Sequence, residues 1–213
     1  MYLCGFHSPT PVADVEAAIV WARANASAYA PFNGLVAAVG TSAGGNLVYM
    51  AGVTGVRGES MPDAMAAASG HPEMGYMSDR KAACQESFPP GGSACKTDST
   101  IFLGFPLDSS HDWCGDGGGD NWSPASPECN VNPLNLPPPT FIANATQELS
   151  AYRTATDFKA TLDAHGVPEQ FCTVSGRFAH DHGSDLFNPG VPCDQRPGTD
   201  VISNLIQFLK ERV

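Results

Sequence analysis

The chain has 213 residues, 42% of them hydrophobic, which suits one α/β-sized domain with enough length to bury a core. Its charge is sparse and acidic, 22 Asp and Glu against 11 Lys and Arg for a net of -11, and this argues against a nucleic-acid phosphate footprint. No apolar stretch reaches the ~18 residues of a membrane span, and no basic region followed by an apolar one marks a signal peptide in the first residues.

In chain order, residues 12–28 read as a helix, with Val15, Ala18, Ile19, Trp21 and Ala22 on an apolar face and Asp14 and Glu16 near its positive end. After a turn at Pro31-Phe32-Asn33-Gly34 comes the apolar run Leu35-Val36-Ala37-Ala38-Val39, then Gly40-Thr41-Ser42-Ala43-Gly44-Gly45, then the helical stretch from Asn46 to Gly52. A serine that attacks a carbonyl must be held out from a sheet on a strained turn, and only small neighbours let strand and helix close around it. Gly40, Gly44 and Gly45 are expected to be those neighbours, and Ser42 the nucleophile at the apex. The competing reading makes Ser42 a plain helix cap. No Gly-Lys-Ser/Thr follows, so the turn is not a phosphate loop.

Residues 54–99 read as an irregular insertion with a short helix near 62–68, and 107–139 as a second long loop ending in Pro137-Pro138-Pro139. Between them 100–106 reads as a buried strand; 140–146 is the next strand, 152–165 a helix stopped by Gly166, 170–174 a further strand. The closing helix, 201–212, turns Ile202, Leu205, Ile206, Phe208 and Leu209 inward. Strands alternating with helices predict an α/β fold with a mostly parallel sheet, a single domain over 1–213. Met61, Met65, Met74, Met77, Trp113 and Trp122 in the two loops are candidates for lining an acyl or aromatic pocket, or for simple packing.

Seven cysteines, at 4, 84, 95, 114, 129, 172 and 193, are many for a cytosolic enzyme. Successive pairing gives Cys84–Cys95, Cys114–Cys129 and Cys172–Cys193 and leaves Cys4 over. With the sequons at Asn25 and Asn121, this points to an extracellular or secretory location. No Cys-x-x-Cys or paired-His spacing favours zinc, and the 114–120 stretch, though rich in Gly and Asp, lacks the glutamate of a calcium loop. No metal or organic cofactor is expected.

The order of elements and the Gly-Thr-Ser-Ala-Gly-Gly turn resemble the α/β-hydrolase superfamily, in particular the carboxylesterases and lipases. The resemblance extends from about Asp14 through the last helix, apart from the two loops. It implies a triad in the order nucleophile, acid, histidine, with the acid beyond the penultimate strand and the histidine beyond the last. Glu148 stands at the first position, with Asp108 in reserve, and its bland reading is a helix-start glutamate near a favourable dipole. His182 is chosen for the second because His182-Gly183 resembles the family's turn into its final helix; His180 is the alternative. His7, His71, His111 and His165 carry no catalytic signal.

The resemblance also implies an oxyanion hole, one donor being the backbone N–H of Ala43. The other would come from a glycine-rich loop after an earlier strand, and nothing like His-Gly-Gly precedes Ser42. The first strands of the fold are therefore expected to be absent, either because the sequence is a fragment or because the hydrolase is reduced. The expected activity is serine esterase chemistry through an acyl-enzyme on a small or polymeric ester. The rival is a non-catalytic α/β-hydrolase-like binding module or an inactive fragment.

Overall fold

The computed structural model describes residues 8–72, 123–148 and 151–213. Among the described residues four parallel strands lie side by side in chain order: β1 (Ala37–Thr41), β2 (Ala64–Ala68), β3 (Thr140–Ala145) and β4 (Glu169–Val174). The long helices are α1 (Thr10–Asn25), α2 (Ala43–Thr54), α3 (Ala151–Ala164) and α4 (Val201–Lys210).

The two-residue period of the strands sorts their side chains onto two faces. Ala64, Ala66 and Ala68 of β2 and Phe141, Ala143 and Ala145 of β3 face Leu205 and Phe208 of α4. Met65, Ala67 and Ile142 face Val48 and Tyr49 of α2 and Ala155, Phe158 and Leu162 of α3. Both layers are closed by tilted aromatic pairs, Phe141–Phe208 at 5.7 Å and Tyr49–Phe158 at 5.0 Å between centroids. Every residue of β2 and β3 is buried, as expected of strands flanked on both sides and covered on both faces.

β2 corrects the sequence reading. Ala64-Met65-Ala66-Ala67-Ala68 consists of strong helix formers, and residues 62–68 read as a short helix within an insertion. The segment is instead a central strand, because its backbone is bonded to β1 on one edge and β3 on the other, and that pairing outweighs a local propensity of a few tenths of a kcal/mol per residue. Gly52 of α2 makes room for its one large side chain: a Cβ there would come 2.3 Å from Met65 Sδ. Met61 and Met65 are therefore core residues. Met74, Met77, Trp113 and Trp122, like the expected strand at 100–106, lie outside the described residues.

Elsewhere the reading shifts by small amounts. β1 starts two residues later than the apolar run; Leu35, ahead of the strand, and Val39, within it, stay exposed. Trp21 and Ile206, placed on inward faces by periodicity, are exposed, while Asn204 is buried through bonds to Thr199 Oγ1 and Asp200 O. Strands β3 and β4 and helices α3 and α4 fall within two residues of expectation at every end. The expected Cys172–Cys193 disulfide ties β4 to the segment before α4 and closes 21 residues of chain, worth about 3 kcal/mol on the chain-entropy estimate. The other two expected pairs each include residues outside those described.

One clamp fixes α1 to the entrances of β1 and β2. Arg23 donates to the carbonyls of Gly34, Glu59 and Met61 and pairs at 2.8 Å with Asp63, which in turn accepts the N–H of Val36.

Beside α3, burial pushes the Glu128 carboxyl up to about 7, against a bond from Thr161 Oγ1 and with the charge of Asp157 adding to the rise. Between the ordinary glutamate value and 7 the folded chain holds more protons than the unfolded one, so this group lowers stability as pH climbs through that window. Glu128→Gln should accordingly raise Tm at pH 8 by roughly 2–6 °C and change it little at pH 4, as read by thermal melts at both values.

Candidate active site

The elbow at Ser42 is built by close backbone approach. Ser42 has φ 53° and ψ -124°, a left-handed conformation that a side chain occupies only when its surroundings enforce it. Three bonds do so: Ser42 N–H donates to Ala68 O of β2, and the Ser42 carbonyl accepts from Gly45 and Asn46 at the start of α2. A Cβ at Gly40 would sit 2.3 Å from the Gly44 carbonyl oxygen, and one at Gly45 would sit 2.8 Å from Gly70 Cα. Strand and helix could not close with larger residues at these two positions. Gly44 departs from expectation, since its Cβ direction meets nothing within 4 Å among the described residues.

His182 arrives on the turn after β4, at the start of a short 3-10 segment, Gly183–Phe187. Its Nε2 accepts from Ser42 Oγ at 2.8 Å, and its Nδ1–H donates to Glu148 Oε1. An ionised carboxylate only accepts, so it holds the ring in the tautomer that leaves Nε2 free to take a proton from the serine. The Glu148 bond raises the imidazole pKa above its ordinary value; burial opposes the rise, and the charges of Glu148 and Asp185 add to it. Glu148, just beyond β3, is buried, and its second oxygen accepts from Ala145 N–H at 3.2 Å and Asn144 Nδ2 at 3.3 Å. These bonds fix a carboxylate that would otherwise turn freely on its longer arm.

Of the sequence-derived candidates, the structure therefore brings Ser42, His182 and Glu148 into one hydrogen-bonded row across three loops. His180 is exposed and two residues away. Asp108 lies outside the described residues. Ala43 opens α2, and the N–H groups of a helix's first turn have no intrahelical acceptor.

A parallel sheet whose strands end in a left-handed serine elbow, a carboxylate and a histidine turn, in that order, decides the architecture. Solved structures share the fold. Carboxyl esterase 2 from the mycorrhizal fungus Tuber melanosporum matches with TM-score 0.65 at 18% identity, over 99% of this chain and 65% of the other. A bifunctional GH43-CE protein of Bacteroides eggerthii matches with TM-score 0.66 at 18% identity, over 98% and 28%. A truncated form of a carbohydrate esterase from gut microbiota matches with TM-score 0.58 at 21% identity, over 80% and 61%. The chain has the α/β-hydrolase fold.

This α/β-hydrolase chain spans less than two thirds of the length of each of those three proteins. The family model described as BD-FAE matches residues 5–74, the part that holds the elbow. No curated protein matches the α/β-hydrolase chain at a significant level by sequence.

Two residues without a sequence signal stand beside the row. His71 follows β2 and lies within electrostatic reach of Glu148 and His182; burial pushes its imidazole down to about 4, so it is neutral wherever His182 titrates. Asn144 is wholly buried and was not separable in sequence from any strand asparagine. Its role is visible only once β3 is seen to lead into Glu148.

Proposed function

We propose that the chain is a serine carboxylic-ester hydrolase acting through Ser42, His182 and Glu148. The observation that supports this is the unbroken hydrogen-bond row from hydroxyl to imidazole to buried carboxylate at the elbow of an α/β-hydrolase sheet. Ser42 Oγ attacks the ester carbonyl as His182 Nε2 takes its proton, and the N–H of Ala43 receives the developing oxyanion. The imidazolium, stabilised by Glu148, then protonates the leaving alcohol. Water, activated by the same imidazole, attacks the acyl-enzyme, and the acid leaves with the serine restored.

The whole chain is read as a single domain, and the substrate as a small or polymeric ester. The disulfide supports an oxidising, extracellular setting. Among the described residues no helix is long and apolar enough to cross a membrane.

The test is turnover of p-nitrophenyl acetate by the purified chain. Hydrolysis lost in Ser42→Ala supports the reading, while a folded chain with no turnover, or one whose turnover survives the substitution, counts against it.

The imidazole must be neutral to act, so kcat/KM should rise with pH through a limb above His182's ordinary value of 6.5. Glu148→Gln removes the cause that raises it. Its acid limb should move to lower pH while kcat falls on the order of 10²–10⁴-fold, because an amide can bind the wrong tautomer as well as the right one. A pH–rate profile of the two proteins measures both effects.

A further inference from the structure

We propose that Ser69 is the positioning residue that sets His182 against Ser42, acting through the turn that carries the imidazole. This rests on the esterase reading for its effect on rate, though not for its effect on the ring.

The His182 ring needs such a device. Its side chain is 51% exposed, so core packing does not hold it, and the Glu148 bond constrains one nitrogen without fixing the backbone beneath. The backbone is fixed from β2. Gly183 N–H, the amide next to His182, donates to Ser69 Oγ at 2.7 Å. One residue earlier in the chain, Ala68 O accepts the N–H of Ser42 at 2.9 Å. Nucleophile and base, 140 residues apart in sequence, are thus tethered to consecutive residues at the end of one strand. Ser69 N–H in turn donates to Ala143 O of β3, the strand that delivers Glu148.

The conformation of Ser69 argues that its hydroxyl is the reason for its presence. It is fully buried with φ 52°, a backbone region where glycine is the ordinary occupant and a Cβ adds strain. Glycine would relieve that strain and fit the space, but it has no acceptor to offer Gly183, whose amide is buried. A buried N–H deprived of its partner pulls the turn toward whatever acceptor it can reach. The turn lies directly against the elbow: a Cβ at Gly183 would stand at ordinary contact distance, 3.7 Å from Thr41 Cβ and 3.8 Å from Ser42 Cβ, so a displacement there changes the distance between Ser42 Oγ and Nε2.

Two variants separate the hydroxyl from the backbone. Ser69→Gly removes the hydroxyl and relieves φ; Ser69→Ala removes the hydroxyl and keeps the strain, and if it fails to fold the glycine variant carries the test alone. In each, the His182 ring is titrated by NMR in the free protein, where its neighbours Glu148, Asp185 and the neutral His71 are unchanged, and kcat and KM are measured on p-nitrophenyl acetate. The expected result is a His182 midpoint displaced toward 6.5 as the Glu148 bond loosens, with kcat lowered about 10–100-fold and KM within about twofold. An unmoved midpoint in Ser69→Gly overturns the proposal, whatever happens to Tm, and so does an unmoved kcat in an active enzyme. If the wild-type chain has no turnover but the midpoint shifts, the esterase reading fails while the positioning role of Ser69 stands.

Discussion

Replacing His182 by alanine is expected to lower kcat on p-nitrophenyl esters on the order of 10⁴–10⁶-fold, as much as replacing Ser42, and the double replacement is expected to cost little more than either alone. The reason lies in the row. A serine hydroxyl has no useful nucleophilicity unless a base takes its proton as it attacks, and Nε2 at 2.8 Å is the group placed to do so. Once the base is gone the hydroxyl contributes almost nothing, and once the hydroxyl is gone the base has no task. A 10⁴-fold loss corresponds to about 5.5 kcal/mol of transition-state stabilisation, beyond what a general loss of packing around a half-exposed ring would produce. His180→Ala is the control, since that side chain is exposed and outside the row. It should leave kcat within about threefold. Steady-state kinetics of the four variants against the wild type decide the matter.

Gly40→Ala is expected to destabilise the fold by roughly 3 kcal/mol or more, lowering Tm by about 6–12 °C, and to abolish turnover in whatever folded protein remains. The added methyl would stand 2.3 Å from the Gly44 carbonyl oxygen and 2.5 Å from its carbon. Those are backbone atoms of the first turn of α2, so relief requires the helix to lift from β1, and that movement carries Ser42 away from His182. Gly44→Ala gives the opposite outcome. Its methyl meets nothing within 4 Å among the described residues, the position is helical, and alanine exceeds glycine in helix propensity by up to about 1 kcal/mol. Stability should hold or rise and turnover should persist. Thermal melts and activity assays on the two variants separate steric need from motif membership among glycines the sequence presents as equivalent.

That pair also marks how far local sequence carries. The elbow was legible because it is made of neighbours: an apolar strand, a run of small residues and a helix, each implied by the next. Glu148 and His182 were singled out through the resemblance, which places an acid after one strand and a histidine after another; in the structure His182 is bonded to Ser42, and Glu148 to the far nitrogen of His182. β2 was not legible, because five residues of alanine and methionine favour a helix until strands on either side claim their hydrogen bonds. Ser69, His71 and Asn144 were invisible for the same reason. Nothing in their immediate sequence distinguishes them, and they acquire roles only when parallel pairing brings the ends of β2 and β3 beside the elbow. Trp21 and Ile206 failed differently: periodicity placed them inward, and neither is buried.

The most direct measurement of the central claim is covalent capture of the nucleophile. Incubated with a fluorophosphonate near pH 8, the wild-type chain should gain the mass of one phosphonyl group, located by peptide mapping on Ser42. His182→Ala should gain none over the same interval, because its hydroxyl lacks the base that activates it. A folded wild-type chain that stays unlabelled, or that carries the group on a residue other than Ser42, would contradict the account.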